Sequence, residues 1–387
     1  MRLSEAATIS DLAAMARRRL PRFVFDFLDG GAGGERGVAR NEERLQAILL
    51  KPSYGRGVAP DLGVRLFGRD WKLPIGVAPV GMAGLIWPGA ELALARLAQA
   101  KGMPFVLSTA GTTPIEAIAA AAPDSAWFQL YASRQDAINR DLLRRAWESG
   151  IRVLVVTLDV VVPGNRPRDI RNRFVLPFRP GLAIAADLAR CPAWSLATFK
   201  AGGPEFAVLA PYAGGGAPRS IGAFMGEQIK RDLTWDDVKA LRDLWPGFLV
   251  VKGILAPADA VAARRAGADG VWVSNHGGRQ LESVPASIDA LPAVRAAVGP
   301  DLPLLMDGGL RSGEDVVKAR LLGADLVMTA RAFYYGVAAG GPAGGERAQT
   351  LLAEDLHRSL SQLGCPSFAA LDRSWLWDPA AAGQNDR

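Results

Sequence analysis

The sequence predicts an α/β fold, a (β/α)8 TIM barrel, on three observations. Short apolar, β-branched-rich runs recur eight times between residues 75 and 330. Each run breaks into Gly, Ser, Pro or a polar residue, and alanine-rich patterns of helical period lie between them. Strands that are apolar throughout and alternate with helices belong to a parallel sheet covered on both faces. The third observation is an absence: no dinucleotide-type glycine signature follows an early run, as a doubly wound open sheet, the competing arrangement, would favour.

In chain order, residues 1–65 read as an N-terminal helical segment. Ser10 is placed to cap a helix running through Leu20, and Pro21 to start a second that stops at Gly30-Gly31. Residues 66–387 read as the barrel. Its strands are expected at 75–80 (IGVAPV), 105–109 (FVLST), 127–131 (WFQLY), 153–159 (VLVVTLD), 248–253 (FLVVKG), 270–275 (GVWVSN), 303–308 (PLLMDG) and 325–330 (DLVMTA). Helical patterns include 90–101, 136–149 and 313–322. The uncharged stretch Leu73–Ala90 has the length of a membrane span, but Pro74, Pro79, Pro88 and its glycines would leave backbone groups unpaired in lipid. It reads as a buried strand followed by a loop. One connection is long: 160–235, after the fourth strand, is an insertion, and 201–222 within it, rich in Gly, Ala and Pro, is expected to be mobile. Residues 174–230 keep many large apolar side chains among Arg and Lys. Two readings stand side by side: packing on the barrel or a neighbouring subunit, or contact with a membrane interface.

Composition narrows the function. The net charge is +6, yet only eight of the 45 basic residues are lysines and the arginines are scattered, so no nucleic-acid surface is expected. An anionic substrate or membrane surface is the better use of the excess charge. Arg17-Arg18-Arg19 reads as the exposed face of a helix. Two distant cysteines, Cys191 and Cys365, make neither a disulfide framework nor a metal cluster, and no metal site is expected. Glu5 and Asp11 interrupt any apolar leader, so the expected location is the cytoplasm.

Polar groups then gather where a barrel performs chemistry, at the C-terminal ends of its strands. In order these are Pro79, Ser108 and Thr109, Gln129 and Tyr131, Thr157 and Asp159, Lys252, Ser274-Asn275-His276, Asp307-Gly308-Gly309 and Arg331. Small residues and Arg311 at the start of a helix in "DGGLRSGEDVVKA", with Arg331 after the eighth strand, suit a phosphate. Lys252 needs a partner or a task, because a desolvated unpaired ammonium is costly. A phosphorylated ring cofactor would supply both. His276 is one of two histidines in the chain and is suited to general base work, with Asp159 to stabilise its protonated form. Arg279 is placed to clamp a carboxylate. His357, in a late helical stretch, reads as a surface residue.

"SNHGGRQLE", with "VKG" before it and "DGGLRSG" after it, resembles the FMN-dependent α-hydroxy acid dehydrogenases and oxidases, over nearly the whole chain from "LPRFVFDFLDGGA" onward. On "LIWPGAELALARLAQAKGMPFVLSTA", "WFQLY", "CPAWSL" and "LRDLWP" it is most similar to the mandelate-oxidising branch. The resemblance implies FMN across the barrel mouth. Ala78, Pro79 and Val80, Ser108, Gln129, Thr157 and Lys252 would hold its ring. Ser274, Asp307, Gly309, Arg311, Ala330 and Arg331 would hold its ribityl chain and phosphate. His276, paired with Asp159, would take the substrate proton. Arg279 and Arg166 would bind the carboxylate of a 2-hydroxy acid, and Tyr131 its hydroxyl region. The family's usual Tyr in the N-terminal "DY" position is Phe27 here, which removes one hydrogen bond. Ala110 stands where small-acid oxidases carry a Trp, which favours a bulky aryl acid. Implied further are a quinone-type electron acceptor, peripheral contact with the cytoplasmic membrane through 177–215, Gly81 as a dehydrogenase-type feature, and a homotetramer. L-lactate dehydrogenase and an oxygen-using 2-hydroxy acid oxidase remain alternatives within the family. A phosphate-binding isomerase barrel and an inactive flavin-binding protein are alternatives outside it.

Overall fold

The computed structural model of the protein describes residues 1–172, 182–212 and 228–377. Eight parallel strands close into a barrel: β3 (Ile75–Val77), β4 (Phe105–Ser108), β5 (Ala126–Leu130), β6 (Val153–Thr157), β7 (Phe248–Ile254), β8 (Gly270–Val273), β9 (Leu304–Met306) and β10 (Leu326–Thr329), with β10 returning to β3. Each lies on one of the runs read from the sequence. All residues are buried in seven of these strands, and β7 alone has half-buried positions. That is why they read as continuous apolar runs rather than alternating ones. Val153 and Val155 point inward with Val106, Trp127, Val250, Trp272, Leu305, Leu326 and Met328. Leu154 and Val156, their neighbours on the same strand, join the outer layer under the helices.

The end of the barrel where the strands begin is stoppered by a hairpin, β1 (Val64–Leu66) and β2 (Arg69–Trp71). Phe67 meets Trp127 edge-on at 5.5 Å and Phe248 at 5.3 Å, and Trp71 meets Trp127 at 6.0 Å. The Trp71 indole N–H donates to the Leu66 carbonyl at 3.2 Å. Residue 65, read as the end of the N-terminal segment, lies inside this hairpin.

The N-terminal segment forms α1 (Ile9–Arg19), α2 (Arg22–Asp29) and α3 (Arg36–Gln46). The cap of α1 is Thr8, which corrects the reading of Ser10. Thr8 Oγ1 accepts the Asp11 amide at 3.1 Å and the Asp11 carboxylate accepts the Thr8 amide at 3.0 Å, a reciprocal capping box, while Ser10 stands exposed in the first turn. Helix α2 follows Pro21 and ends at Gly30, as expected. Arg17 and Arg18 are exposed. Within Leu73–Ala90 the loop after β3 contains a short helix, Ala83–Ile86, which the proline-rich pattern concealed. Among the described residues no helix is long and apolar enough to cross a membrane.

The insertion carries helices Leu182–Arg190 and Pro192–Ala201. Trp194 docks it on the barrel, donating its indole N–H to the Leu85 carbonyl at 2.9 Å and meeting Phe23 edge-on at 5.9 Å. Counter to the expectation of mobility in 201–222, Phe206, Val208 and Leu209 are buried in the main core. Residues 213–222 of that stretch, and 177–181 and 213–215 of the segment 177–215, lie outside the described residues. Leu196 and Phe199 remain 56% and 85% exposed. Cys191 and Cys365 are separate buried thiols, and His357 is exposed on the late helix Pro342–Leu363.

Candidate active site

Parallel strands bring all eight C-terminal ends to one face, and a cavity of about 630 Å3 opens there. Of the residues singled out from the sequence, Phe27, Ala78, Pro79, Val80, Ala110, Tyr131, Thr157, Arg166, Lys252, His276, Arg279, Asp307, Gly309, Arg311, Ala330 and Arg331 line it. Ser108, Gln129, Asp159 and Ser274 stand one layer behind. Ser108 Oγ donates to Gln129 Oε1 at 3.0 Å and Gln129 Nε2 to Thr157 Oγ1 at 3.0 Å, so this pair reaches the cavity through Thr157.

His276 lies just past β8 in a left-handed conformation, φ 57°, which costs a non-glycine residue about 1 kcal/mol or more. Its surroundings fix it. Ser274 Oγ accepts the His276 amide at 3.0 Å, and the Asn275 side chain caps the turn by accepting the Gly278 amide at 3.2 Å. The imidazole Nδ1 lies 3.0 and 3.1 Å from the two Asp159 oxygens. Burial opposes the Asp159 charge, but attraction to His276, its hydrogen bond and the Lys252 charge hold the carboxyl below its usual range. Asp159 therefore stays ionised and commits Nδ1, leaving Nε2 for chemistry. A backbone irregularity in β7 makes room for this pair. Gly253 has φ 99°, and a Cβ there would come within 2.7 Å of the Asp159 side chain.

Lys252 has the partner its burial demands. Its Nζ lies 3.2 Å from Asp307 Oδ2 and donates to Ser274 Oγ at 2.8 Å, and Ser274 in turn donates to Asp307 Oδ1 at 2.6 Å. The ammonium is thus a fixed charge on the cavity wall. Arg279 and Arg331 are different. Arg279 donates to the carbonyls of Phe27 and Gly30 at 2.8 and 2.6 Å, and its guanidinium lies over the Phe27 ring at 5.4 Å. Arg331 donates to the carbonyls of Leu28, Gly30 and Gly277. The carbonyls of Phe27, Leu28 and Gly30 close the C-terminal end of α2, where the helix dipole favours cations, and that of Gly277 belongs to the His276 turn. Among the described residues neither guanidinium is ion-paired with a carboxylate. Burial, and then the charges of Arg166 and Arg331, push the Arg279 group down; burial does the same for Arg331. A guanidinium keeps its proton, so the strain is relieved by an anion. Arg166 pairs only at 3.6 Å with Asp169, whose carboxyl burial pushes up. Burial and the Asp159 charge keep the Tyr131 phenol protonated, a donor rather than a base.

The donor set suits a flavin mononucleotide. The backbone of Ala78, Pro79 and Val80 borders the cavity beside the fixed Lys252 charge, as a ring with an electron-rich edge requires. At the β9–β10 side, Arg311, Arg331 and the uncapped N-terminus of helix Arg331–Gly340 suit one phosphate. Arg311 is held from behind by Glu42 at 2.7 Å.

Sequence reasoning passed over several residues. Gln280 adjoins Arg279 within the quoted motif and was within reach. Asn41, from α3, exchanges two hydrogen bonds with Asn275 at 2.9 and 2.8 Å and steadies the His276 turn, but nothing in its helical context marks it. Met82, Phe206 and Ile229 add apolar side chains to the cavity lining, which also includes Ala110.

The model for FMN-dependent dehydrogenases matches residues 16–378. The chain is 38% identical to (S)-mandelate dehydrogenase of Pseudomonas putida, over 95% of this chain and 93% of that protein. It is 40% identical to an L-lactate dehydrogenase of Caulobacter vibrioides, over 96% and 97%. The crystal structure of (S)-mandelate dehydrogenase described as a monotopic membrane protein superposes with a TM-score of 0.91 at 37% identity, over 96% of this chain and 99% of that one. With a matching barrel, a matching family model and relatives of this identity along its length, the chain belongs to the FMN-dependent α-hydroxy acid dehydrogenase family and uses FMN.

Proposed function

We propose that the protein oxidises an (S)-2-hydroxy acid with an aryl side chain, of mandelate type, to the 2-oxo acid and passes the electrons to a quinone-type acceptor. The observation that carries this reading is the His276–Asp159 pair standing in one cavity with Arg166 and Arg279. FMN supplies a two-electron acceptor when bound. Ala78, Pro79, Val80, Ser108, Gln129, Thr157 and Lys252 serve its ring, the first three through backbone and Ser108 and Gln129 through Thr157. Ser274, Asp307, Gly309, Arg311, Ala330 and Arg331 serve the rest, Ser274 by holding Lys252 and Asp307 in place. Arg166 and Arg279 bind the substrate carboxylate, and the Tyr131 phenol donates to its hydroxyl region. His276 Nε2 receives one proton, whether that proton leaves the hydroxyl or the α-carbon. Asp159 keeps the ring oriented and stabilises the imidazolium.

Ala110 and the apolar residues Met82, Phe206 and Ile229 support an aryl substrate, and Gly81 supports a quinone-type acceptor rather than oxygen. L-lactate is the second reading, favoured by relatives of 39–40% identity bearing that activity in their names. Exposed Leu196 and Phe199 beside Lys200, and the monotopic relative, support peripheral attachment to the cytoplasmic membrane through 177–215. The assembly proposed is a homotetramer. The test is anaerobic mixing of purified protein with (S)-mandelate or L-lactate while flavin absorbance is followed. Mandelate should bleach it faster, and Ala110→Trp should slow mandelate by about tenfold more than lactate. Equal losses on the two acids would remove the argument for an aryl pocket. Reoxidation should be fast with a quinone analogue and slow with oxygen; peroxide at the full turnover rate would make the protein an oxidase.

A further inference from the structure

One carboxamide joins the ends of β6 and β8. Gln280 Nε2 donates to the carbonyls of Asp159 at 2.8 Å and Val162 at 3.2 Å, and Gln280 Oε1 accepts the Gly164 amide at 3.0 Å. Two carbonyls and one N–H admit only this orientation of the side-chain amide. Elsewhere the segment it grips is tied at its ends, where the Leu158 amide donates to the Lys252 carbonyl at 3.0 Å and the Asn165 carbonyl accepts the Gly33 amide at 2.9 Å. Between Thr157 and Pro167 there is no helix or strand, Pro163 offers no N–H, and Val161 and Val162 are 57% and 62% exposed. The approach is also close: a Cβ on Gly164 would fall 2.1 Å from the Arg279 carbonyl oxygen. At one end of the segment stands Asp159, paired with His276. At the other stands Arg166, on the cavity wall.

We infer that Gln280 is a positioning residue for both tasks of the site. It fixes Asp159 behind His276 and Arg166 opposite Arg279 by tying the turn that carries them to the loop that carries their partners. The inference rests on the function proposed above. Beyond Arg166 the chain is anchored independently, because Arg168 bridges to Asp26, Asp29 and Glu35 and Asn172 donates to Asp26 at 2.7 Å. Loss of the carboxamide therefore loosens residues 159–164 and leaves the barrel and the helix at 167–171 in place.

The test uses holoenzyme with Gln280→Met, which keeps the volume and loses all three bonds, and Gln280→Glu, which keeps only the acceptor. Both should retain full FMN content and a melting temperature near that of the parent protein. The limiting rate of flavin reduction by (S)-mandelate should fall about tenfold, as expected of a misplaced proton acceptor. The Kd for oxalate, an anion that is not oxidised, read from the flavin spectrum, should rise about fivefold through loss of the Arg166 position. In an Asp159→Asn background, Gln280→Met should cost less than about twofold further in rate, because the two changes act on one unit. Parent-like rate and oxalate affinity in both variants, or losses that multiply in the double variant, would overturn the inference. A parent flavin that no 2-hydroxy acid reduces would instead defeat the proposed function, while the oxalate comparison would still decide the effect of Gln280 on Arg166.

Discussion

The two ends of the barrel are made from the same strands and obey opposite rules. Where the strands begin, the hairpin β1–β2 presses Phe67 and Trp71 against Trp127 and Phe248, an aromatic stopper. Where they end, Lys252 and Arg331 are buried, and Arg279 half-buried, among carbonyls and carboxylates around a cavity. The first end gains from removing apolar surface from water. The second spends part of that gain to hold charge out of water, because desolvated, preorganised charge is what binds anions and steers a proton. Stability and function are thereby assigned to opposite faces, and each can be altered with little effect on the other.

The sharpest way to break the comparison is at the stopper. Trp71→Ala should cost about 3–5 kcal/mol of stability through lost burial and the cavity left behind. It should leave the rate of flavin reduction in the folded holoenzyme unchanged. Chemical denaturation and stopped-flow absorbance check the two halves of that statement, and a rate that fell with stability would show the ends to be coupled. The converse change is His276→Gln, which should lower the reduction rate by at least about 10²-fold while FMN content and denaturation midpoint stay the same. A near-parent rate would transfer the base role to another group. The smallest effect is expected at Phe27, whose ring lies against Arg279 and lacks a hydroxyl. Phe27→Tyr should tighten binding of either hydroxy acid by about 1 kcal/mol, a roughly fivefold drop in apparent Kd. No change would mean that the added hydroxyl does not reach the carboxylate.

The opening end was far more legible in the sequence than the closed one. Eight apolar runs located every barrel strand, and the polar residue after each run located the cavity, because a parallel strand buries both faces and surrenders polarity only at its end. What the pattern could not convey was depth. Ser108, Gln129 and Ser274 occupy the same kind of position as Thr157 and Lys252, yet their side chains turn toward neighbouring strands and bond Thr157, Lys252 and Asp307. The stopper escaped notice because its strands, Val64–Leu66 and Arg69–Trp71, carry Arg and Asp and form no continuous apolar run as the three-residue β3 and β9 do. At α1, Thr8 and Ser10 are both competent caps, and the reciprocal bond to Asp11, three residues beyond Thr8, decided between them.

The clasp of Arg279 and Arg331 on the carbonyls at the end of α2 also bears on the order of synthesis. Leu28 and Arg331 are 303 positions apart. At about 5–20 residues per second, a ribosome needs roughly 15–60 s to supply the second after the first. During that interval the barrel against which Phe23, Val24, Phe25 and Leu28 are buried in the finished protein is incomplete. Helix α2 is therefore made long before the Arg331 side chain that clasps its end. A chain that stopped before Arg331 would lack the guanidinium that joins the carbonyls of Leu28 and Gly30 to that of Gly277, and the mouth would lose its tie to the end of α2.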